Sequence, residues 1–357
     1  MAPAKWRGAL SSSFSFLISL GIVLASCVNY GATRLIWGWR LSLGLVVLPA
    51  IMMIIGALLI PDTPSSLVHR RKLQQAKQSL IKVRGIETDI EPELSDLIRS
   101  NEVTKAMNQE PFATIFERQF RPHLVMVVAI PFFQQATGIK ILAFYAPIVF
   151  QSVGFGHDSA LLAAIVLGLV EMGAILVAST VVDRLGRRFL FLVGGILMFI
   201  SQVSVACVLA AFMGVSGTKH PSKGHGILVL VLMCFYVMGF VCSWGTLAWL
   251  IPSEILPMKI RTTGQSISIA VNFATTFVLA QTFLTMLCHF KFATFLFHAG
   301  WIFVMTIFIM FFLPETKGIP LNSMHLVWEG HWYWGRFVKS QSQSPSVVPE
   351  ILQFLYL

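Results

Sequence analysis

The fold of this chain is decided by Pro131-Phe-Phe-Gln-Gln-Ala-Thr-Gly-Ile-Lys-Ile-Leu-Ala-Phe-Tyr-Ala-Pro-Ile-Val-Phe150, a run apolar enough to span a membrane. This run nevertheless carries two adjacent amides, Gln134 and Gln135, together with a glycine and a lysine. Polar groups are costly in hydrocarbon, so they face a bundle interior or a water-filled cavity. Amide side chains both donate and accept hydrogen bonds, as hydroxyl-rich solutes require. The stretch therefore predicts half of a solute site inside a membrane protein.

The composition of the whole chain agrees with a membrane protein. Hydrophobic residues make up 56% and charged residues 12% of the chain, whereas about a quarter of the residues are charged in a soluble domain. Mean hydropathy is +0.76. The net charge of +10 agrees with the enrichment of Lys and Arg in cytoplasmic loops, so it does not require a nucleic-acid partner.

The residue patterns of enzymes and metal centres are absent from the sequence. The five cysteines are scattered through apolar runs without CxxC spacing, which argues against a zinc or redox centre. No nucleophile–base set or phosphate loop is recognisable. We therefore expect no enzymatic activity, no metal and no cofactor.

Apolar runs long enough to cross about 30 Å of hydrocarbon recur along the chain and predict an all-α membrane protein. There are eight of them, at about 9–30, 39–60, 121–151, 158–182, 188–213, 225–251, 263–288 and 292–313. With a cytoplasmic N-terminus, 20 of the 26 Lys and Arg residues fall on the cytoplasmic side and five on the other, and Lys140 lies within a span. This bias predicts that both termini are cytoplasmic.

One soluble-looking region lies between the second and third spans, and a tail of mixed character follows the last span. The linker at 61–120 mixes Leu with charged residues at helical spacing, which indicates either short amphipathic helices or a solvated charged linker. The tail at 314–357 begins with Pro314-Glu-Thr-Lys-Gly318 and continues with the aromatic run His331-Trp-Tyr-Trp334, which predicts an aromatic belt at the membrane interface. The six spans in 121–313 form one unit, and 1–60 contains the remaining two.

Two charged motifs lie at predicted cytoplasmic helix ends. They are Asp183-Arg-Leu-Gly-Arg-Arg188 and Pro252-Ser-Glu-Ile-Leu-Pro-Met-Lys-Ile-Arg261. An ordinary positive-inside loop and a surface charge pair explain each motif alone. Together they favour a latch that closes the cytoplasmic side by charge pairing and opens during alternating access. The candidate latch residues are Asp183, Arg184, Arg187, Arg188, Glu254 and Arg261.

Polar and aromatic side chains inside other spans are further candidates for a solute site. Trp249 lies in the sixth span, where it either belongs to an interface belt or stacks on a sugar ring. Asn272 and Thr276 lie one turn apart in the seventh span, where they either bond neighbouring helices or complete a polar site. Lys140 and Glu171 are charged residues in the interior of the third and fourth spans. A charge at mid-membrane costs about 2.5–3.5 kcal/mol on insertion scales, so each charge is expected to be functional or paired.

These motifs resemble, in order, those of the sugar porter branch of the major facilitator superfamily. The resemblance rests also on Met1 to Leu10, on Trp37-Gly-Trp-Arg-Leu-Ser-Leu43, on Pro61 to Leu67 and on Gln134-Gln-Ala-Thr-Gly138. It is strongest to plant monosaccharide–proton symporters of the sugar transport protein type. The resemblance implies transport of a hexose with a proton by alternating access, in the plasma membrane.

The resemblance also implies which part of the family fold this chain contains. Family members have twelve spans in two halves, and the opening residues resemble the loop after the fourth span. The chain then holds a partial fold of spans five to twelve, in which 1–60 contributes the last two helices of the N-terminal half. The family's proton-coupling aspartate and arginine are expected in the part that this chain lacks. Cys288 matches a cysteine that pairs with an extracellular lid in these symporters, so it is expected here as a free thiol.

Site residues carry over from the family unevenly. Gln134, Gln135, Trp249, Asn272 and Thr276 match sugar-binding positions. By contrast, Lys140 and Glu171 stand where the family has asparagines, Thr246 replaces a proline, and Ser15 falls near a family glutamine. A paired Lys and Glu cannot both donate to and accept from a sugar hydroxyl as amides do.

Two alternatives to sugar transport follow from these differences. In the first, the chain is a truncated product that does not transport, or a partner that associates with full-length transporters. In the second, the chain carries a charged solute, because Lys140 and Glu171 change the charge of the site.

Overall fold

A computed structural model describes residues 7–338 except 61, 85–89, 108–110, 214–222, 258, 318 and 320–323. Within these residues the regular structure is helical, and eight segments are long and apolar enough to cross a membrane. The prediction of an all-α membrane protein with about eight spans is confirmed.

The first two spans lie beside the rest of the molecule rather than within it. They comprise α1 (Arg7–Ala32), α2 (Gly38–Gly44) and α3 (Val47–Leu59). α1 packs against the fourth span, and a Cβ on Gly168 there would lie only 2.9 Å from the Val23 side chain. α3 has no buried residue, so its apolar surface is available to lipid.

The described residues of the linker are mostly helical. It contains α4 (Pro64–His69), α5 (Leu73–Arg84), α6 (Glu91–Met107) and α7 (Pro111–Thr114). Thr63 caps α4 by accepting a hydrogen bond from the Ser66 N–H, and Pro64 occupies the first turn, where its missing N–H costs nothing. Leu67, Val68 and Leu80 belong to a small apolar core of the linker.

The remaining six spans share the main apolar core. The third span consists of α8 (Arg121–Ala136) and α9 (Ile139–Ser152), and the fourth and fifth are α10 (His157–Leu185) and α11 (Arg187–Met213). The sixth consists of α12 (Lys223–Phe240), a π-helical segment (Val241–Gly245) and α13 (Thr246–Ile255), and the last two are α14 (Arg261–Phe290) and α15 (Ala293–Phe312).

Two of these spans are broken in mid-membrane. Gly138 separates α8 from α9 with φ of 81°, a left-handed conformation that glycine adopts without steric cost. The π-helical segment separates α12 from α13, and such segments frequently occur at functional sites. Both breaks release backbone groups from regular helical bonding, so these groups need other partners.

The aromatic tail folds back on the end of α15 instead of forming an exposed belt. It contains α16 (Met324–Gly330) and α17 (Gly335–Val338). Trp334 is buried, and its Nε1–H donates to the Phe312 carbonyl over 2.8 Å. Trp328 is buried as well, whereas Trp332 is exposed. The belt prediction is therefore wrong for Trp334, because its indole is buried and bonds the free carbonyl of Phe312.

Candidate functional site

A buried chain of hydrogen bonds links three broken or polar spans at the centre of the six-span core. The Asn272 amide on α14 donates to Gln134 Oε1 on α8 over 3.0 Å. The Gln134 amide donates in turn to the Trp244 carbonyl in the π-helical segment over 3.2 Å. Gln134 and Asn272 are both buried, so these bonds are shielded from competition by water.

The break after α8 determines where Gln134 lies. The last four carbonyls of a helix have no partner within the helix. Here the Thr137 hydroxyl donates to the Gln134 carbonyl over 2.7 Å, and the Tyr236 hydroxyl on α12 donates to the Thr137 carbonyl over 2.7 Å. These bonds hold the end of α8 against α12.

A cavity of about 240 Å³ opens beside the amide chain. Gln134 and Asn272 supply its polar lining together with Gln265 and Ser268, and its apolar lining consists of Pro131, Ala248, Trp249, Pro252 and Ile269. Trp249 is 54% exposed, so its ring is accessible as well as lining the cavity. The cavity combines an indole face with neutral hydrogen-bonding groups and has no charged side chain in its lining.

Two of the predicted binding residues lie outside this lining. Thr276 donates to the Asn272 carbonyl one turn earlier on α14, over 2.8 Å. Gln135 is buried, and its Oε1 has no hydrogen-bond partner among the described residues. That oxygen is therefore free to accept a hydrogen bond from a donor that enters the core.

The two mid-membrane charges lie near each other but do not touch. Lys140 is exposed in the first turn of α9 and Glu171 is half-buried on α10, and the charge of Lys140 acts on the Glu171 carboxylate. No hydrogen bond or ion pair within 4.0 Å joins them in the described part of the chain. On α10, Ala163 packs with α9 and Gly168 packs against α1, so at about 100° per residue Glu171 projects between α9 and α1.

A separate charged cluster lies where α11 begins and α13 ends. Arg187 Nη2 lies 3.1 Å from Glu254 Oε1, and these side chains are only 12% and 22% exposed. Glu254 Oε2 also accepts a hydrogen bond from the Thr316 hydroxyl over 2.8 Å. A carboxylate bonded by a guanidinium and a hydroxyl joins the ends of α11, α13 and the tail in one contact.

A second carboxylate, Glu315, lies at the N-terminus of α11. It accepts hydrogen bonds from the backbone N–H groups of Arg187 over 2.9 Å and of Arg188 over 3.0 Å. A helix N-terminus favours a negative charge because its first N–H groups are free and its dipole is positive there. Gly186 permits this approach, since it has φ of 91° and a Cβ there would lie 3.2 Å from Glu315 Oε2.

The other predicted latch residues are placed as follows. Arg188 Nη2 donates to the Met310 carbonyl, and Arg261 Nη2 donates to the Ser253 carbonyl over 2.6 Å. The side chains of Asp183 and Arg184 lie outside the described residues. The structure thus brings Arg187 and Glu254 together, and places Arg188 and Arg261 on backbone carbonyls of helix ends.

Four residues at these two sites were missed as site residues in the sequence. Gln265 and Ser268 precede Asn272 by seven and four positions, so all three share one face of α14. That polar stripe is visible in the sequence and would have identified the two lining residues. Glu315 and Thr316 belong to the motif at 314–318. Their partners on α11 and α13 depend on how the tail folds, which the sequence does not show. Among the described residues, no group of three His, Cys, Asp or Glu side chains is arranged to hold a metal ion.

Comparison with known proteins gives a family match over most of the chain. The family model described as "Sugar (and other) transporter" matches residues 1–328. Sugar transport protein 5 of Arabidopsis thaliana is 54% identical over 345 residues, which are 96% of this chain and 68% of that protein. Sugar transport protein MST3 of Oryza sativa subsp. japonica is 47% identical over 95% of this chain and 65% of its own length. The chain thus spans about two thirds of the length of these relatives.

Solved structures show the same fold. The major facilitator superfamily proton:xylose symporter XylE, bound to 6-bromo-6-deoxy-D-glucose, matches with a TM-score of 0.71 and 29% identity over 92% of this chain and 68% of that one. A partially occluded inward open conformation of XylE from E. coli matches with a TM-score of 0.73 and 27% identity, over 89% and 66% of the two chains.

Proposed function

Since the chain belongs to the Sugar (and other) transporter family, we propose that it carries a monosaccharide across the membrane together with a proton. Support comes from relatives named as sugar transport proteins and from the fold match to a proton:xylose symporter. The observation that carries the proposal is the cavity in which the Gln134–Asn272 amide chain faces the ring of Trp249. Neutral amides can exchange donor and acceptor roles with hydroxyl groups, and a sugar presents both kinds of group.

In this proposal the neutral side chains bind the sugar. Gln134 and Asn272 hydrogen-bond its hydroxyls, Trp249 stacks on its ring, and Gln135 offers its unpartnered oxygen. Thr276 supports Asn272 through their backbone contact. The cavity has a volume of about 240 Å³. This volume is slightly smaller than the range of about 300–1,000 Å³ that is usual for ligand pockets, so the cavity suits one small solute.

The cytoplasmic cluster serves as the latch in the same proposal. The Arg187–Glu254 pair is partly buried and joins two different spans, so it can hold the cytoplasmic ends together in one state of the transporter and separate in the other. Arg188 and Arg261 assist by bonding backbone carbonyls, and Asp183 and Arg184 are proposed to act beside them. The unit formed by 121–313 would move against 1–60, with 61–120 and 314–357 on the cytoplasmic side of the plasma membrane.

Lys140 and Glu171 are proposed to lie at the edge of the sugar site, where they alter its polarity. Each would cost about 2.5–3.5 kcal/mol alone at mid-membrane, and the charge of one acts on the other. We propose that they offset each other and leave the neutral lining to bind the sugar.

The direct test is sugar uptake by a yeast strain that lacks hexose transporters. Cells that express the chain are expected to take up labelled glucose faster than cells with the vector alone, and a protonophore should reduce the difference. The Gln134→Leu variant should strongly reduce uptake at low sugar concentration, whereas Gln119→Leu, which removes an exposed amide at the cytoplasmic side, should leave it unchanged. Uptake at the vector level, from protein that reaches the plasma membrane, would contradict the proposal.

A second measurement addresses the alternative in which the chain acts only with full-length relatives. The tagged chain is expressed with and without Sugar transport protein 5, and both uptake and co-purification are measured. Our proposal predicts uptake in the absence of the relative. Uptake that requires the relative, together with co-purification, would support the alternative.

A further inference from the structure

One buried histidine contacts the helix break that carries the amides. His298 lies on α15 and is 1% exposed. Its Nδ1–H donates to the Ala136 carbonyl over 2.9 Å, and Ala136 is the last residue of α8. Its Nε2 has no partner among the described residues, so the hydrogen bond to Ala136 is the polar contact that the ring makes with the break.

The ring of His298 also fills the space beside Gly138. A Cβ built on Gly138 would lie 2.8 Å from three atoms of the ring, so the imidazole lies flat against the glycine. Gly138 has the left-handed conformation that ends α8 and begins α9. The histidine therefore contacts the break by a hydrogen bond on one side and by van der Waals packing on the other.

The position of His298 links three elements that regular helical bonding does not link. The carbonyls of Ala136 and Thr137 belong to the end of α8, where the helix offers no N–H to bond them. α15 supplies the donor for the first through His298, and α12 supplies the donor for the second through Tyr236. The Gln134 and Gln135 side chains begin two and one residues before Ala136, so any rotation of the end of α8 changes where they point.

We infer that His298 is a positioning residue for the proposed sugar site, because it fixes the end of α8 and thereby the direction of Gln134 and Gln135. This inference rests on the proposed function for its effect on sugar, but its effect on the helix break is independent of that function. His298 does not line the cavity, so it acts on the sugar only through the glutamines. A displacement of about 1 Å can change a rate by about 10²-fold when the moved groups contact substrate.

Three substitutions separate the hydrogen bond from the shape of the ring. In His298→Asn the amide nitrogen is as many bonds from Cβ as Nδ1 is, so it can donate to the Ala136 carbonyl. In His298→Gln the donor lies one methylene further out. In His298→Phe the ring remains and the donor is lost.

Sugar uptake kinetics in cells give the first readout. We expect His298→Asn to keep KM within about twofold of the wild type, and His298→Gln and His298→Phe to raise KM about tenfold with a smaller change in the maximal rate per transporter. The matched control is His289→Phe, because His289 also bonds a backbone carbonyl, that of Thr285 over 2.9 Å, but is exposed near the end of α14. Its KM should equal that of the wild type.

The Asn and Gln variants keep the test decisive if the Phe variant does not accumulate in the membrane. Equal KM values in wild type, His298→Asn and His298→Gln would overturn the inference. An equal rise in KM for Asn and Gln would overturn it too, because the hydrogen bond would then not be what matters.

Hydrogen exchange of the backbone amides in 136–142 gives the second readout, which needs no sugar. Faster exchange in His298→Phe and near-normal exchange in His298→Asn support the inference, and unchanged exchange in both overturns it. Faster exchange with an unchanged KM would also overturn it, because His298 would then be only structural. Should wild-type uptake be absent, the proposed function fails, and exchange alone decides whether His298 fixes the break.

Discussion

The middle of the six-span core and its charged end, where α11 begins and α13 ends, satisfy their buried polar groups in different ways. The middle uses neutral groups, in which the Asn272 and Gln134 amides bond each other and a free backbone carbonyl. The charged end pairs Arg187 with Glu254. A charge costs less near water than in hydrocarbon, where neutral amides are less costly than charges. The difference agrees with our proposal that the middle exchanges hydrogen bonds with a solute and that the charged end makes and breaks contacts between helices.

The largest effect is expected when the hydrogen bonds between Asn272, Gln134 and the Trp244 carbonyl are broken. Gln134→Leu leaves the Trp244 carbonyl and the Asn272 amide without a partner, and each buried unsatisfied group costs about 1–3 kcal/mol. We expect uptake at low sugar concentration to fall about 100-fold, measured as the initial rate per transporter in the membrane. An initial rate equal to that of Gln119→Leu would show that the amide chain has no part in transport.

A smaller but clear effect is expected when the charged pair is broken. Glu254→Gln removes the negative charge beside Arg187, and a hydrogen bond to a charged group is worth about 1.5–3 kcal/mol. The midpoint of thermal unfolding in detergent should fall. The single variants Arg187→Glu and Glu254→Arg should lower it too, and the double variant Arg187→Glu, Glu254→Arg should recover part of their combined loss. A double variant that loses as much as the sum of these two single changes, or more, would show that the two side chains do not act as a pair.

Lys140 and Glu171 are charged, although the hydrogen-bonded groups at the middle of the core are neutral. Because the charge of Lys140 acts on Glu171, replacing one leaves the other uncompensated. We expect Lys140→Asn and Glu171→Asn each to reduce the amount of folded protein or raise KM, by about fivefold, and the double variant to approach the wild type. Additive losses in the double variant would mean that the charges do not offset each other, which would favour a site for a charged solute.

The smallest effect is expected from the pH dependence of the tail. Burial, and then the charge of Arg188, lower the pKa of His331 from its ordinary 6.5. Its Nδ1 accepts hydrogen bonds from the Tyr333 and Trp334 N–H groups over 3.2 and 3.4 Å, which requires the neutral ring. The unfolded chain therefore binds the proton more readily, so this contribution is fully present above about pH 6.5 and is lost as the pH falls through the lowered folded value.

The measurement is the midpoint of thermal unfolding at about pH 7.5 and about pH 5.5. The wild type should lose slightly more stability between these values than His331→Asn, whose side-chain oxygen can accept the same bonds without titrating. Identical losses would mean that His331 is not the titrating group.

The sequence predicts the spans and part of the site for identifiable reasons. Long apolar runs determine the number of spans, and polar residues inside those runs point to the amide pair and to Asn272. The partners of these groups are not visible in the sequence, because the Trp244 carbonyl becomes free only where the sixth span turns into a π-helical segment. The indole of Trp334 was predicted at an interface because tryptophan is common there, and only the folded tail shows its bond to the Phe312 carbonyl. His298 looked like an ordinary residue of an apolar span, and its role depends on the carbonyl of Ala136, which is distant in sequence.

Equilibrium binding of labelled glucose to the purified chain tests the central claim most directly. The claim is that the Gln134–Asn272 amide chain forms the solute site. The account predicts saturable binding by the wild type and by Gln119→Leu, and loss of that binding in Gln134→Leu and in Asn272→Leu. Equal binding by all four proteins would contradict the account.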